Sequence, residues 1–386
     1  MRIDPAASTP LYQQVAADLR RRIVTGEIAV GARVPTHREL ALDYGVSLIT
    51  INKALAGLVS DGVLHSRVGR GTFVAIRPPE SHDGRGRVLG FVLRDLSSPF
   101  FSLVANAAQR RADELGFGLI FSSSSFQLDR EDEQIQRFRQ LGVLGLIIVS
   151  MNRTYRLSPA IRELHDQGLP YVMVSYTHGD DVPLVAGDVT RAGVIAAEHL
   201  LGLGRRRFAY MGDRIGSVMF ERRSSGYLET LAAAGVPVAP EFVFQYPYEG
   251  EWNDYESGYA IGERVAAMFE RPDAMYTHND LGALGFEDAL LDHGIRVPED
   301  VAIVGLDDIE LAARARVPLT TVHVPTDRIG ALAVDHVVAR IRGQPTITRQ
   351  LLEPRLVVRR SCGAPFSGSG PPDARSRRSR LTMASP

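Results

Sequence analysis

Apolar residues recur along this chain with two different rhythms. Through the first 75 residues they return every three or four positions: Val15, Leu19 and Ile23, then Ile51, Leu55 and Leu58. That period predicts amphipathic helices, the first over residues 12–23. Pro35-Thr36 opens a second helix that carries Leu40 and Leu42, and Tyr44-Gly45-Val46-Ser47 breaks it. Ser47 can cap the next helix, because the first backbone amides of a helix lack intrahelical acceptors. With Ile51, Leu55 and Leu58 turned to a core, that helix leaves Ser47, Ile49, Thr50, Asn52 and Lys53 toward solvent. Val63 to Ser66, a basic turn from Arg67 to Arg70, and Gly71 to Val74 predict a two-stranded hairpin.

From Val88 onward short apolar runs alternate with helical patterns. Val88–Leu93, 118–121, 145–149 and 171–174 read as strands, separated by helices near 101–115, 131–140 and 157–166. The pattern restarts at 191–201 and continues with strands at 208–211, 242–245, 274–276 and 301–304. Helices before Gly235, at 258–269 and at 281–292 separate them. Such alternation predicts parallel sheets covered on both faces by helices. The length exceeds one comfortable core, which suggests two lobes. Between the rhythms, residues 76–87 hold two prolines and two glycines in a polar run and read as a linker. The stretch 363–386 has the composition of a disordered tail. The expected organisation is therefore an α+β head at 9–75, the linker, and a two-lobed α/β domain at 88–361.

Composition narrows the chemistry. Of 386 residues, 45% are hydrophobic, yet no apolar run is long enough to span a membrane. The start lacks the apolar core of a secretory signal, so a cytoplasmic protein without membrane attachment is expected. Cys362 is the only cysteine, which removes intrachain disulfides and cysteine metal clusters, and the histidines do not fall at metal-ligand spacing. The net charge of −1 is uneven: residues 1–80 carry ten basic against seven acidic groups, the tail four arginines against Asp373, and the middle is acidic. A basic head on an acidic body fits a polyanion engaged by the head alone. Lys53 is the only lysine, so Schiff-base catalysis in the α/β domain is excluded and no cofactor is expected.

The head is similar to the winged helix-turn-helix of GntR-type bacterial regulators, on PLYQQVAADLRRRIVTGEI, GARVPTHREL, YGVS, INKAL, DGVL and GRGTFV in that order. That resemblance implies DNA contact by Arg38, Ser47, Leu48, Thr50, Asn52, Lys53 and the wing residues Arg67, Gly69 and Arg70. Family members usually carry arginine where this chain has Leu48 and Asn52. Leu48 and Ile49 can meet a thymine methyl, and Asn52 can read adenine through its paired donor and acceptor.

The remainder resembles LacI-type regulators and the periplasmic sugar-binding proteins that share their fold. Its phrases are DLSSPFF (95–101), GDVTRAG (187–193), ERRSSGY (221–227), HND (278–280), VPEDVAIVGLDDIELA (297–312) and PLTTVHVP (318–325). The resemblance implies two lobes joined by three crossovers, near Gly187, Pro318 and Gln350. The N-lobe then takes about 88–187 and 319–349, and the C-lobe about 188–318 and 350–361. Ligands of α/β sheets bind beyond the carboxyl ends of strands, where Asp95, Ser97, Phe100, Phe101, Ser123, Asp188, Asn279 and Asp307 fall. Arg223 joins them by resemblance, as a grip on hydroxyls or a carboxylate, and Trp252 as a ring that stacks on sugar. Asp95 and Ser97 either meet ligand or cap the following helix, and Asp308 reads as a cap.

Together these readings imply a ligand-responsive DNA-binding transcription regulator, a homodimeric repressor of sugar-utilisation genes rather than an enzyme. A solute-binding protein without a transcriptional role, or a regulator of a non-sugar effector such as a purine, is the alternative.

Overall fold

A computed structural model describes residues 10–365 apart from 25–26, 30, 61–62, 68–70, 75–86, 96, 126, 151–156, 175–181, 213–217 and 247–252. In chain order the head contains α1 (Leu11–Val24), α2 (His37–Tyr44), α3 (Leu48–Ser60), β1 (Leu64–Arg67) and β2 (Gly71–Val74). Then follow β3 (Val88–Leu93), α4 (Pro99–Glu114), β4 (Gly118–Ser123), α5 (Leu128–Gln140), β5 (Gly145–Ile148), α6 (Pro159–Asp166), β6 (Tyr171–Met173) and β7 (Leu184–Gly187). A second series runs α7 (Val189–Gly202), β8 (Phe208–Gly212), α8 (Val218–Ala233), β9 (Val243–Gln245), α9 (Asp254–Ala266), β10 (Ala274–Thr277), α10 (Asp280–Asp292) and β11 (Ala302–Asp307). It ends with β12 (Thr320–His323), α11 (Thr326–Ile341), β13 (Arg349–Leu352) and β14 (Arg355–Val357). Among the described residues no single helix is long and apolar enough to cross a membrane.

The head folds on local instructions. Thr36 and Glu39 form a capping box at the start of α2: the Glu39 amide donates to the Thr36 hydroxyl (3.3 Å), and the Thr36 amide donates to the Glu39 carboxylate (2.6 Å). Gly45 ends α2 in the left-handed region (φ 63°), where a side chain would be strained. Ser47 then accepts from the Thr50 amide at 3.2 Å, as its position ahead of α3 predicts. Val15 and Leu19 of α1, Leu40 of α2, and Ile51, Leu55 and Leu58 of α3 close on one core with Leu64 and Val74 of the hairpin. Leu42 stays outside, 83% exposed. Strands β1 and β2 pair antiparallel, Leu64 opposite Val74.

The two later sheets have six strands each, ordered β13-β7-β6-β5-β3-β4 and β14-β12-β11-β10-β8-β9. All pairings are parallel except β12 with β14. In each, the first strand of the series sits inside, with the second on one flank and the third on the other, so strand order reverses there. That reversal is the topological switch point at which α/β sheets take ligands. The strands read as near-continuous apolar runs because both faces are covered: Ile147, Ile148, Ala209, Met211, Met275 and Ile303 are all fully buried.

The chain passes between its two compact units after Gly187, after Val324 and after Leu352. The second and third passages differ from the expected positions near Pro318 and Gln350. Residues 319–324, expected in the N-lobe, lie with the second unit, because Thr320–His323 pairs parallel with Val304–Asp307. Residues 350–352, expected in the C-lobe, pair with Val185–Gly187 in the first unit. Strand pairing, not the position of proline, sets each passage.

Candidate functional site

In the head, α3 offers its candidate residues outward. Ile49 is 78% exposed, Leu48 46%, and Asn52 and Lys53 are exposed beside them. Arg38 on α2 is exposed as well. The hydroxyls of Ser47 and Thr50 bond to each other at 2.9 Å, so both are engaged in the cap. Lys53 does not project freely: its ammonium lies 4.1 Å from the centroid of the Tyr12 ring, a cation–π contact back to α1. The arginine run at the end of α1 is also committed locally. Arg21 holds Asp18 (2.9 Å) and Glu27 (3.0 Å), and the buried Asp18 accepts from the Tyr44 hydroxyl at 2.7 Å. Those hydrogen bonds keep the Asp18 carboxyl below its ordinary range against the burial that would raise it. Arg67 is the last residue of β1; its side chain, with Gly69 and Arg70, lies outside the described residues.

In the first unit, Asp95 lies two residues beyond the end of β3. Its carboxylate takes both the amide of Ser97 (3.0 Å) and the Ser97 hydroxyl, so the pair forms a turn rather than a helix cap. Ser98 occupies the cap position of α4 without a side-chain bond. Phe100 and Phe101 meet edge to face at 5.3 Å and both are half-buried, and the Arg94 guanidinium lies 5.6 Å from the Phe101 ring. Ser123, the last residue of β4, accepts from the Ser125 amide at 3.1 Å.

The second unit gathers more polar chemistry. Asp188 accepts from the Arg191 amide at 2.9 Å and caps α7, so one carboxylate oxygen has a structural duty. Arg223 lies inside α8, and its guanidinium donates to the backbone carbonyl of His278, just beyond β10 at the switch point. Asn279 follows. Its carbonyl accepts from the Gly282 amide (2.8 Å) to cap α10, and its amide donates to Asp254 on α9 (2.6 Å). Asp307 ends β11 with φ at 120°, and Asp308 follows at 63°, two consecutive side-chain-bearing residues in a region that favours glycine. Asp307 is buried, and its Oδ1, like Arg223 Nε, has no hydrogen-bond partner among the described residues. Burial holds the Asp307 carboxyl well above the usual carboxylate range, while the Arg223 charge pulls it back.

Three neighbours of this cluster were not among the expected site residues. Asp280 is fully buried, accepts from Thr321 Oγ1 (2.6 Å) and the Ile309 amide (2.9 Å), and is pushed up to about 7 by desolvation. Asp254 is tied to Asn279. Tyr246 packs edge to face on His278 at 4.6 Å. Of the three, only Asp280 stood in a phrase singled out from the sequence, HND; no sequence signal marked Asp254 or Tyr246. Asp308 is not the helix cap its position suggested: it binds Arg359 (2.6 Å) and His323 (3.1 Å). Trp252 lies outside the described residues.

The comparisons with known proteins follow the same division. Residues 11–74 match the model of bacterial regulatory proteins of the gntR family, and residues 197–362 match that of the periplasmic binding protein-like domain. A solved LacI-family regulator structure from Sanguibacter keddieii is 31% identical, with TM-score 0.62, covering 72% of this chain and all of that one. The chain belongs to the LacI-type regulators and carries a gntR-family head. Over nearly its whole length this regulator is similar to the arabinose metabolism transcriptional repressor of Geobacillus stearothermophilus, 29% identical over 365 residues, 91% of this chain and 97% of the repressor. The regulator CelR in complex with cellobiose is 25% identical with TM-score 0.64, across 85% of this chain and all of that one. The regulator is thus a ligand-responsive DNA-binding protein, and its similarities lie with transcription regulators rather than enzymes.

Proposed function

We propose that this regulator represses genes for the use of a sugar or sugar derivative, and that the effector engages Arg223, Asn279 and Asp307. The observation that carries this is that Arg223 Nε and Asp307 Oδ1, two of several such buried polar atoms in the second unit, have no hydrogen-bond partner among the described residues, and that the Arg223 charge acts on the Asp307 carboxyl. A buried donor or acceptor left unmet costs on the order of 1–3 kcal/mol, so such a pair suits a ligand that supplies hydroxyls. Backbone strain at Asp307 and Asp308, at the end of a switch-flanking sheet, agrees with that role. The names of the relatives, an arabinose repressor and a regulator bound to cellobiose, support a saccharide. Asp95, Phe100, Phe101 and Ser123 are the corresponding candidates in the first unit.

On the DNA side, the regulator acts as a homodimer in the cytoplasm. Arg38 contacts phosphate, Asn52 reads adenine, and the wing adds Arg67 and Arg70. The effector changes operator affinity only to the extent that it binds the two states unequally.

The test is thermal unfolding of wild type and Arg223→Ala against pentoses, hexoses, disaccharides and purine bases, beside binding to an operator selected from random duplexes. One saccharide should raise Tm in wild type alone, with DNA affinity equal in both proteins. A full ligand shift in Arg223→Ala, or a purine as the stabilising compound, would sink this effector assignment.

A further inference from the structure

The outward stripe of α3 has an unusual chemical character for a helix that reads a polyanion. At 100° per residue, Leu48, Asn52 and Ile49 fall within one 100° arc, with Asn52 between the other two, and the exposed Ala56 and Val59 continue it. The opposite arc holds the buried Ile51, Ala54, Leu55 and Leu58. The stripe therefore presents aliphatic groups around a single amide and no cation. The polar groups nearby are spoken for: the Ser47 and Thr50 hydroxyls satisfy each other and the cap, and Lys53 is drawn over Tyr12. Gly45 ends α2 and the Ser47 cap opens α3, so Leu48 and Ile49 stand on its first turn. An isoleucine 78% exposed next to a half-exposed leucine gains nothing in the free head and gains from any apolar partner. In the major groove the apolar group on a base edge is the C5 methyl of thymine.

We propose that Leu48 and Ile49 read thymine C5 methyl groups in the operator, flanking the adenine read by Asn52. This rests on the reading of the head as the operator-binding module, and it makes the code one of apolar contact and one amide, with charge supplied from outside α3. The exposed Arg38 provides that charge on α2.

The experiment uses the full chain and the duplex enriched from a random pool. Each thymine in the enriched site is replaced singly by deoxyuridine, which deletes only the methyl, and affinity is measured by fluorescence anisotropy. Deoxyuridine at a contacted thymine should weaken binding about fourfold, the value of one buried methyl group. Ile49→Ala or Leu48→Ala should bind thymine and deoxyuridine sites alike. Both side chains are exposed, so these variants keep the fold of the head. Equal affinity of wild type for thymine and deoxyuridine at every position overturns the inference while leaving operator binding intact. So does undiminished discrimination in the Leu48→Ala, Ile49→Ala double variant. Loss of self-association in that variant, without change in discrimination, would assign the stripe to a second copy of the chain instead. Failure to enrich any sequence would overturn the operator reading, and the inference with it.

Discussion

The head and the second α/β unit solve recognition in opposite ways. The head keeps its candidate residues outside: Arg38, Leu48, Ile49 and Asn52 sit on capped helices whose polar ends are satisfied from within. The second unit does the reverse, burying Asp307 where the Arg223 charge acts on it and leaving one polar atom of each unmet among the described residues. A duplex groove is large and brings its own water and charge, so a rigid exposed face suffices to meet it. A small hydroxylated ligand offers little area, and its affinity has to come from desolvated hydrogen bonds. On the proposed function, stability in the head is nearly independent of its partner, whereas a ligand bound by Arg223 and Asp307 would relieve unmet polarity in the second unit.

The sharpest way to break that contrast is at Gly226. A Cβ there would meet the Thr190 carbonyl oxygen at 1.9 Å, and that oxygen belongs to the backbone of α7 and cannot swing aside. Gly226→Ala should force α7 and α8 apart, costing about 3 kcal/mol or more. Calorimetry should show the unit carrying Arg223 melting early while the head transition stays in place. Loss of both transitions together would show that the regions are not independent.

A pH series gives the next effect. Glu287 is buried on α10, accepts from the Val317 amide at 2.8 Å through one oxygen, and is pushed up from 4.5 to about 7 by desolvation. The folded state therefore keeps a proton that the unfolded chain releases. This contribution is complete below the unfolded value of 4.5 and is lost as pH rises through about 7. Glu287→Gln retains an acceptor for Val317 and cannot ionise. It should flatten the fall in stability between those limits by on the order of 1–3 kcal/mol. Denaturant titrations at several pH values would read it, and an unchanged slope would mean that Glu287 is ionised in the fold.

Two substitutions sharpen the other side. Asn52→Ala should cost about 1–3 kcal/mol on the preferred site and almost nothing on sites altered at the adenine, narrowing discrimination without affecting thermal stability. Equal weakening on all sequences would remove Asn52 as a base reader. Arg38→Ala should have the mildest signature: uniform weakening, with the slope of log affinity against log salt reduced by about one. A salt slope identical to wild type would place Arg38 away from phosphate.

The sequence disclosed these two regions unequally. Ser47 as a cap, Gly45 as the break, and Ile51, Leu55 and Leu58 as the inner face of α3 were all legible, because capping and amphipathic packing act over three or four residues. Strands such as Val88–Leu93 were equally plain from their apolar runs. The candidate site in the second unit was legible as a set of proposed residues, Arg223, Asn279 and Asp307, but not as an arrangement. Nothing local says that Arg223 reaches the His278 carbonyl 55 residues away, or that Asn279 spans to Asp254. Nor does local pattern separate Asp188, half committed to capping α7, from Asp307, whose Oδ1 is buried without a partner.

What the sequence determined alone was the head, its capped reading helix, the absence of any lysine but Lys53, and the alternation that dictates two parallel sheets. Tertiary structure decided where the chain passes between units, since Thr320–His323 joins β11 through ladder hydrogen bonds that no local signal encodes. It also decided which carboxyls are raised above their usual range, because desolvation of Asp280, Glu287 and Asp307 comes from elements far apart in sequence. Periodicity and caps are properties of neighbouring residues; burial and unmet polarity belong to the closed fold.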